Sequence, residues 1–209
     1  MAAHPGGDGR GGRPHPALSP ARRSPGSLAP PRRHRMDGRT LADYRQRKDA
    51  FFRSHPSSPL TPEQQEHFAG LQYYPENPNL VFIVEPELFP ETELVTLATT
   101  DGSERPYLRW ARATFQADGR AFSLTVFRDP ETGALFVPFR DATSGTETYD
   151  AGRYLEPRLL PDGRILLDFN YAENPYCSYN DNWSCALPPP ENQLPIPIRA
   201  GERRFEGHG

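Results

Sequence analysis

Between Asp168 and Asn192 the chain reads DFNYAENPYCSYNDNWSCALPPPEN, and these 25 residues hold five of its seven asparagines, both of its cysteines, three tyrosines and a tryptophan. Amides, thiols, phenols and an indole all carry a polar end on a short or rigid stem, and a solvated linker has no use for so many together. Such a stretch must be ordered by its surroundings. Once ordered, it offers donors and acceptors to a small polar ligand.

The thiols suggest chemistry first. Cys177 and Cys185 stand eight apart, which matches neither the two-residue gap of a zinc knuckle nor that of a thioredoxin-type pair. The histidines are His4, His15, His34, His55, His67 and His208, none near the cysteines, so no metal site is expected. The pair reads as structural: two buried small side chains or a loop-closing disulfide. Ser144 or Cys177 as a nucleophile would need a base, and only His55 or His67, in the helical N-terminal part, could serve.

Carboxylates remain. Asp141, Glu147, Asp168, Glu173, Glu191 and Glu202 surround the polar region, with Arg109, Arg140 and Arg153 to balance them. A carboxylate pair can do acid/base work or hold a hard cation, yet Asp–Arg and Glu–Arg pairs more often fix loops on a β scaffold. The stretch Asp141 to Asp150, DATSGTETYD, lacks the Gly-Lys pairing of a phosphate loop. It reads as a Gly-hinged loop whose hydroxyls cap their own backbone.

The elements that must position these groups are helical first and extended afterwards. Thr40 caps a helix with Asp43 at the third position, Leu41, Tyr44, Lys48 and Phe51/Phe52 share a face, and Pro56 ends it by His55. Thr61, Pro62 and Gln64 open a second, shorter helix that Gly70 stops. Eight short runs rich in β-branched and aromatic residues follow: Leu80 to Glu85, Leu94 to Thr99, Tyr107 to Phe115, Ala121 to Arg128, Ala134 to Phe139, Arg153 to Leu160, Arg164 to Phe169 and Leu194 to Arg199. Asp101-Gly102, Asp118-Gly119, Thr132-Gly133 and Asp162-Gly163 punctuate them. Strands so closely spaced leave no room for crossover helices. The expected fold is mainly β: an antiparallel sandwich or barrel of about eight short strands with two N-terminal helices. Alternation sends Phe122, Leu124 and Val126, then Leu135, Val137 and Phe139, then Ile165, Leu167 and Phe169 to the core. Asp168 lies beside Leu166, so its carboxylate needs donors, which the asparagines just downstream can supply. Pro195 and Pro197 place the last run at a sheet edge.

Composition sets the outer bounds. Residues 1–35 hold seven of the 25 prolines, six of the 17 glycines and seven arginines against one acid, and they read as a disordered tail. Met36, just before the first helix signal, could be the start codon instead. Residues 36–209 form a single β-rich domain with 17 basic and 26 acidic side chains, a net charge of about −9. An acidic body without a basic, aromatic-interleaved stripe excludes nucleic acid as a partner. The absence of a long apolar run or an apolar leader predicts a cytoplasmic protein not inserted in a membrane.

Two long segments also carry a resemblance. PFRDATSGTETYDAGRYL and LLDFNYAENPYCSYNDNWSCALPPPENQLPIPIRAGE, with LADYRQRKDAFF, the SPL of Ser58 to Leu60 and the FAGLQYYP of Phe68 to Pro75, resemble the bacterial and archaeal domain-of-unknown-function family numbered 1684. The resemblance runs from about residue 40 to about 205. It implies no activity, cofactor or catalytic residue, so no role passes to Asp141, Arg153, Asp168, Cys177 or Glu202. At Glu173 the chain departs from the family's pattern, which has an aromatic there.

Three functional readings follow. In the first, the loops Asp141 to Asp150 and Asn170 to Asn192 meet over one end of the sheet and enclose a pocket for a small polar molecule. Arg109, Asp141, Glu147 and Arg153 form one wall of it, and Asp168, Asn170, Asn174 and Tyr179 the other. In the second, the protein is a non-catalytic interaction module presenting Tyr176, Tyr179 and Trp183 on a proline-braced surface. The third is a carboxylate-based hydrolase. Whether the aromatics and amides point inward around a concavity or outward separates the first two. Cofactor and oligomeric state are left open.

Overall fold

The computed structural model describes residues 40–207. The Arg/Pro/Gly-rich stretch of residues 1–35 and the alternative start at Met36 lie outside the described residues. Helix α1 (Leu41–Ser54) begins as its residues dictate: Thr40 Oγ1 accepts the Asp43 N–H at 3.2 Å while Asp43 Oδ2 accepts the Thr40 N–H at 2.8 Å. Before Pro56 the backbone of His55 turns extended, and the helix stops. Helix α2 (Pro62–Glu66) repeats the reciprocal cap with Thr61 and Gln64. No helix among the described residues is long and apolar enough to cross a membrane.

The rest is mainly β. Strands β1 (Val81–Val84), β2 (Pro86–Ala98), β3 (Glu104–Ala117), β4 (Arg120–Arg128), β5 (Leu135–Phe139), β6 (Arg153–Leu155), β7 (Arg158–Leu159) and β8 (Ile165–Asp168) form two antiparallel sheets. One has the order β2-β3-β4-β5-β6 and the other β1-β8-β7, so the architecture is sandwich-like rather than a closed barrel. Asp118 and Gly119, with φ of 48° and 71°, make the mirror-type turn that lets β3 and β4 twist together. The alternating residues meet between the sheets: Phe122, Leu124, Val126, Leu135, Val137, Phe139, Ile165, Leu167 and Phe169 share one buried cluster. Each such side chain contributes about 1.5–3 kcal/mol on leaving water.

Three extended runs differ from expectation. β2 starts eight residues before Leu94, at Pro86, because it is an edge strand whose prolines at 86 and 90 need donate to no neighbour. The run Arg153 to Leu160 divides at Pro157, which cannot donate to a ladder, and its halves join different sheets as β6 and β7. Leu194 to Arg199 alternates in burial, but it is not a strand. Pro195 and Pro197 strip one side of it of donors. Its other side is tied to the residues after β5: Leu194 N–H donates to Arg140 O at 2.8 Å, and Ala142 N–H donates to Ile196 O at 3.1 Å.

Candidate functional site

The segment from Asp168 to Asn192 is a chain of short turns, two of them held by a local side-chain acceptor, Asp168 and Asn180. Asp168 Oδ1 accepts the Asn170 N–H at 3.1 Å and Asn170 Nδ2 at 2.9 Å, capping the turn Phe169–Tyr171. Asn170 then grips the backbone of Asn77 through both ends of its amide, at 2.8 and 3.0 Å, which fixes the approach to β1. Asn192, fully buried, does the same between strands. It accepts the Thr125 N–H at 2.7 Å and donates to Thr125 O and Pro138 O, both at 2.9 Å. The β4–β5 ladder pairs only Phe127 with Phe136 and Arg128 with Leu135. Where it opens, beside a proline with no N–H to give, the Asn192 side chain stands in for a peptide group.

Two buried charge clusters lie behind this segment, and Glu202 belongs to both. Its carboxylate meets Lys48 Nζ of α1 at 2.5 Å, the Tyr179 hydroxyl at 2.8 Å and the Asn174 N–H at 2.8 Å. Lys48 also reaches Glu173 Oε2 at 2.7 Å, where the Tyr44 hydroxyl donates at 3.0 Å. Burial opposes the charge on Lys48, but Glu173 and Glu202 outweigh it and hold its pKa well above the usual 10.5. Burial, then Glu202, raises the Tyr179 phenol, so it stays a donor. The backbone carbonyl of Glu202 faces the other cluster and accepts from Arg153 Nη1 at 3.1 Å. Arg153 also donates to Ala200 O at 2.5 Å and Ile198 O at 2.7 Å, and its Nη2 lies 3.3 Å from Asp141 Oδ2. Asp141 completes the clamp by accepting the Ile198 N–H and the Thr143 hydroxyl. Burial lowers the Arg153 pKa against the pull of Asp141.

Four of the eight candidate residues are joined through Glu202, and the other four lie apart from them. Asp141 and Arg153 meet each other. Asn174 and Tyr179 meet at Glu202. Asp168 and Asn170 form a local pair, and Glu147 takes a forked contact from Arg199, with Nη2 at 2.6 Å, and one from the Tyr74 hydroxyl at 3.0 Å. Arg199 is the main cause that lowers the Glu147 pKa. Arg109 stays apart on β3, over the Phe89 ring and 4.0 Å from Glu191. Lys48 was missing from the candidates. Its signal was a cation on the apolar face of α1, between Tyr44 and Phe52.

Cys177 and Cys185 are free thiols, 4 % and 8 % exposed. The loops 141–150 and 170–192 do approach, with the Tyr149 hydroxyl 3.9 Å from Cys177 Sγ. A cleft of about 290 Å³ opens elsewhere on the segment, lined by Ser58 to Pro62 on one side and by Asn180, Asn182 and Trp183 on the other. Its walls are stiff. Pro59 O accepts from both Asn180 Nδ2 and Trp183 Nε1, and the Trp183 ring packs edge-on against Tyr176 with centroids 5.0 Å apart. Gln64 Nε2 donates to Tyr179 O at 2.7 Å, joining α2 to the same loop. Among the described residues there is no group of three or more His, Cys, Asp or Glu placed to hold a metal ion.

Two stacked antiparallel sheets, a helical brace and an internally bonded asparagine-rich segment define a mainly β, sandwich-like domain. The chain belongs to the family of proteins of unknown function DUF1684, whose model matches residues 66–203. The match takes in both sheets and Glu202 but stops short of α1 and Lys48. The chain is also similar to the solution NMR structure of the uncharacterized protein from gene locus rrnAC0354 of Haloarcula marismortui: 42 % identity and a TM-score of 0.62, over 78 % of this chain and 91 % of that one. No curated protein matches it.

Proposed function

We propose that the protein binds a small polar molecule in the cleft between residues 58–62 and 180–183. The observation that carries this reading is the lining: a rigid indole, two prolines and the exposed amide of Asn182 around about 290 Å³, close to the lower end of ligand pockets at roughly 300 Å³. A ring-shaped ligand with polar edges suits such walls, stacking on Trp183 and bonding to Asn182. The asparagine-rich segment contributes one wall of this cleft, through Asn180, Asn182 and Trp183. The opposite wall is the connection between α1 and α2 instead of the loop 141–150.

The other two readings have less support. Tyr179 is fully buried, and Tyr176 and Trp183 pack on each other, so the three do not form an outward aromatic patch. The carboxylates of a hydrolase would need to be available, whereas Asp141 and Glu202 are bound to Arg153 and Lys48.

The test is a thermal-shift screen against small polar metabolites, with native mass spectrometry for solutes carried through purification. A compound that raises the melting temperature of the wild-type protein should lose that effect in Asn182→Ala and Trp183→Ala. A shift that survives both substitutions would put the binding site elsewhere.

A further inference from the structure

We infer that Cys177 and Cys185 form a redox-active dithiol that low-molecular-weight disulfides oxidise to an intramolecular disulfide, with Cys185 as the attacking sulfur. The inference stands independently of any ligand in the cleft. The Cys177 backbone N–H donates to Cys185 Sγ at 3.2 Å, and the two thiols lie within hydrogen-bonding reach of each other.

Their surroundings differ in a way that assigns the roles. Residue 185 is fixed to the turn after β2: its N–H donates to Thr100 Oγ1 at 3.2 Å and its carbonyl accepts the Thr100 N–H at 3.0 Å. Arg105 Nη2 donates to the adjoining Ser184 carbonyl at 2.7 Å, and its charge favours the Cys185 thiolate. Cys185 thus faces a backbone donor, a thiol donor and a cation, the arrangement that favours a thiolate. Cys177 faces the Tyr149 phenol. The titratable and charged groups around the pair are Arg105, Tyr107, Tyr149 and Tyr154, with Asp150 next to Tyr149. The Cys177 thiol and backbone donors, with Arg105, bring Cys185 down to about 7 against its burial. The hydrogen bond to Cys185, and then burial, push Cys177 up.

The exchange balances without a metal or a flavin. The Cys185 thiolate attacks one sulfur of a disulfide such as oxidised glutathione, forming a mixed disulfide and releasing one glutathione thiolate. Cys177 gives its proton to that thiolate or to solvent and attacks the Cys185 sulfur, which expels the second glutathione thiolate. Two electrons leave the cysteines and reduce the reagent disulfide. The new bond closes the loop 177–185, which carries Asn180, Asn182 and Trp183, so oxidation ties down the base of that loop.

The experiment treats the full-length protein with oxidised glutathione at neutral pH and reads intact mass. Wild type should lose two hydrogens, retain no glutathione and regain both hydrogens with dithiothreitol. Cys177→Ser should keep glutathione on Cys185, while Cys185→Ser should react more slowly, because burial still holds the Cys177 thiol up and rate follows thiolate fraction. Wild-type protein that reacts only after unfolding in urea would overturn the inference, as would Cys185→Ser capturing glutathione as fast as Cys177→Ser. Since serine variants can loosen a packed loop, the same assignment is read in the wild-type protein by limited iodoacetamide alkylation and peptide mapping. Cys185 should label first, with a pH midpoint below that of an ordinary thiol, and Cys177 labelling first would sink it.

Discussion

Lys48 Nζ lies 2.5 Å from Glu202 Oε1, and both side chains are 1 % exposed. Helix α1 is thereby fastened to the segment after Ala200 by an ion pair with almost no water around it. Removing one partner strands the other charge in the interior. We predict that Lys48→Met lowers unfolding stability by about 3–5 kcal/mol, measured by urea titration. Replacing Lys48, Glu173 and Glu202 together with apolar residues of like volume should cost less than the single change.

The same pair sets a pH dependence. Because the folded-state pKa of Lys48 is raised, its contribution is complete below the unfolded value of 10.5 and fades as pH rises through the folded value. Urea midpoints followed into strongly alkaline solution should fall for the wild-type protein, and less so for Lys48→Met. Equal declines would assign the alkaline loss to other groups.

Asn192 replaces a peptide group where β4 and β5 part, so Asn192→Ala leaves the Thr125 N–H and two carbonyls without partners. Each such group costs about 1–3 kcal/mol. Asn192→Asp should also destabilise, since a carboxylate cannot donate to Thr125 O and Pro138 O. Chemical denaturation of both variants checks this, and wild-type midpoints would contradict the bridging role.

Asp168 separates scaffold from ligand binding. Its carboxylate accepts two bonds from Asn170, so Asp168→Ala should lower stability by about 0.5–1.5 kcal/mol. Asp168→Asn, which keeps an acceptor oxygen, should recover most of the loss. An alanine variant with an unchanged melting temperature and no ligand response would return Asp168 to the binding site.

Gly201 holds φ at 76°, and a Cβ there would run into the carbonyl oxygens of Phe169 and Ala172. Gly201→Ala should cost at least about 1–2 kcal/mol from the left-handed backbone alone. The displaced turn carries Glu202, so amide protons around Lys48 and Tyr179 should exchange faster in the variant.

Much of the scaffold could be read locally. The reciprocal caps at Thr40 and Thr61, the turn at Asp118-Gly119, the inward set from Phe122 to Phe169 and the Asp168–Asn170 pairing all involve residues a few positions apart. The stereochemistry of a helix start, a tight turn or a pleat settles such cases before any other part of the chain arrives. The same short-range logic misjudged Leu194 to Arg199, which alternates like a strand but finds no ladder because its prolines offer no N–H.

Residue types and alternation determined that this protein would be a mainly β, antiparallel structure, and left sandwich or barrel open. Only the tertiary structure decided which distant groups share the interior. Lys48 joined Glu202, Asn192 joined Thr125 and Pro138, and Arg109 was left on the surface. The reason is that a charge or amide is valued by what remains when water is gone. Which groups lose their water depends on how loops far apart in the chain close over one another.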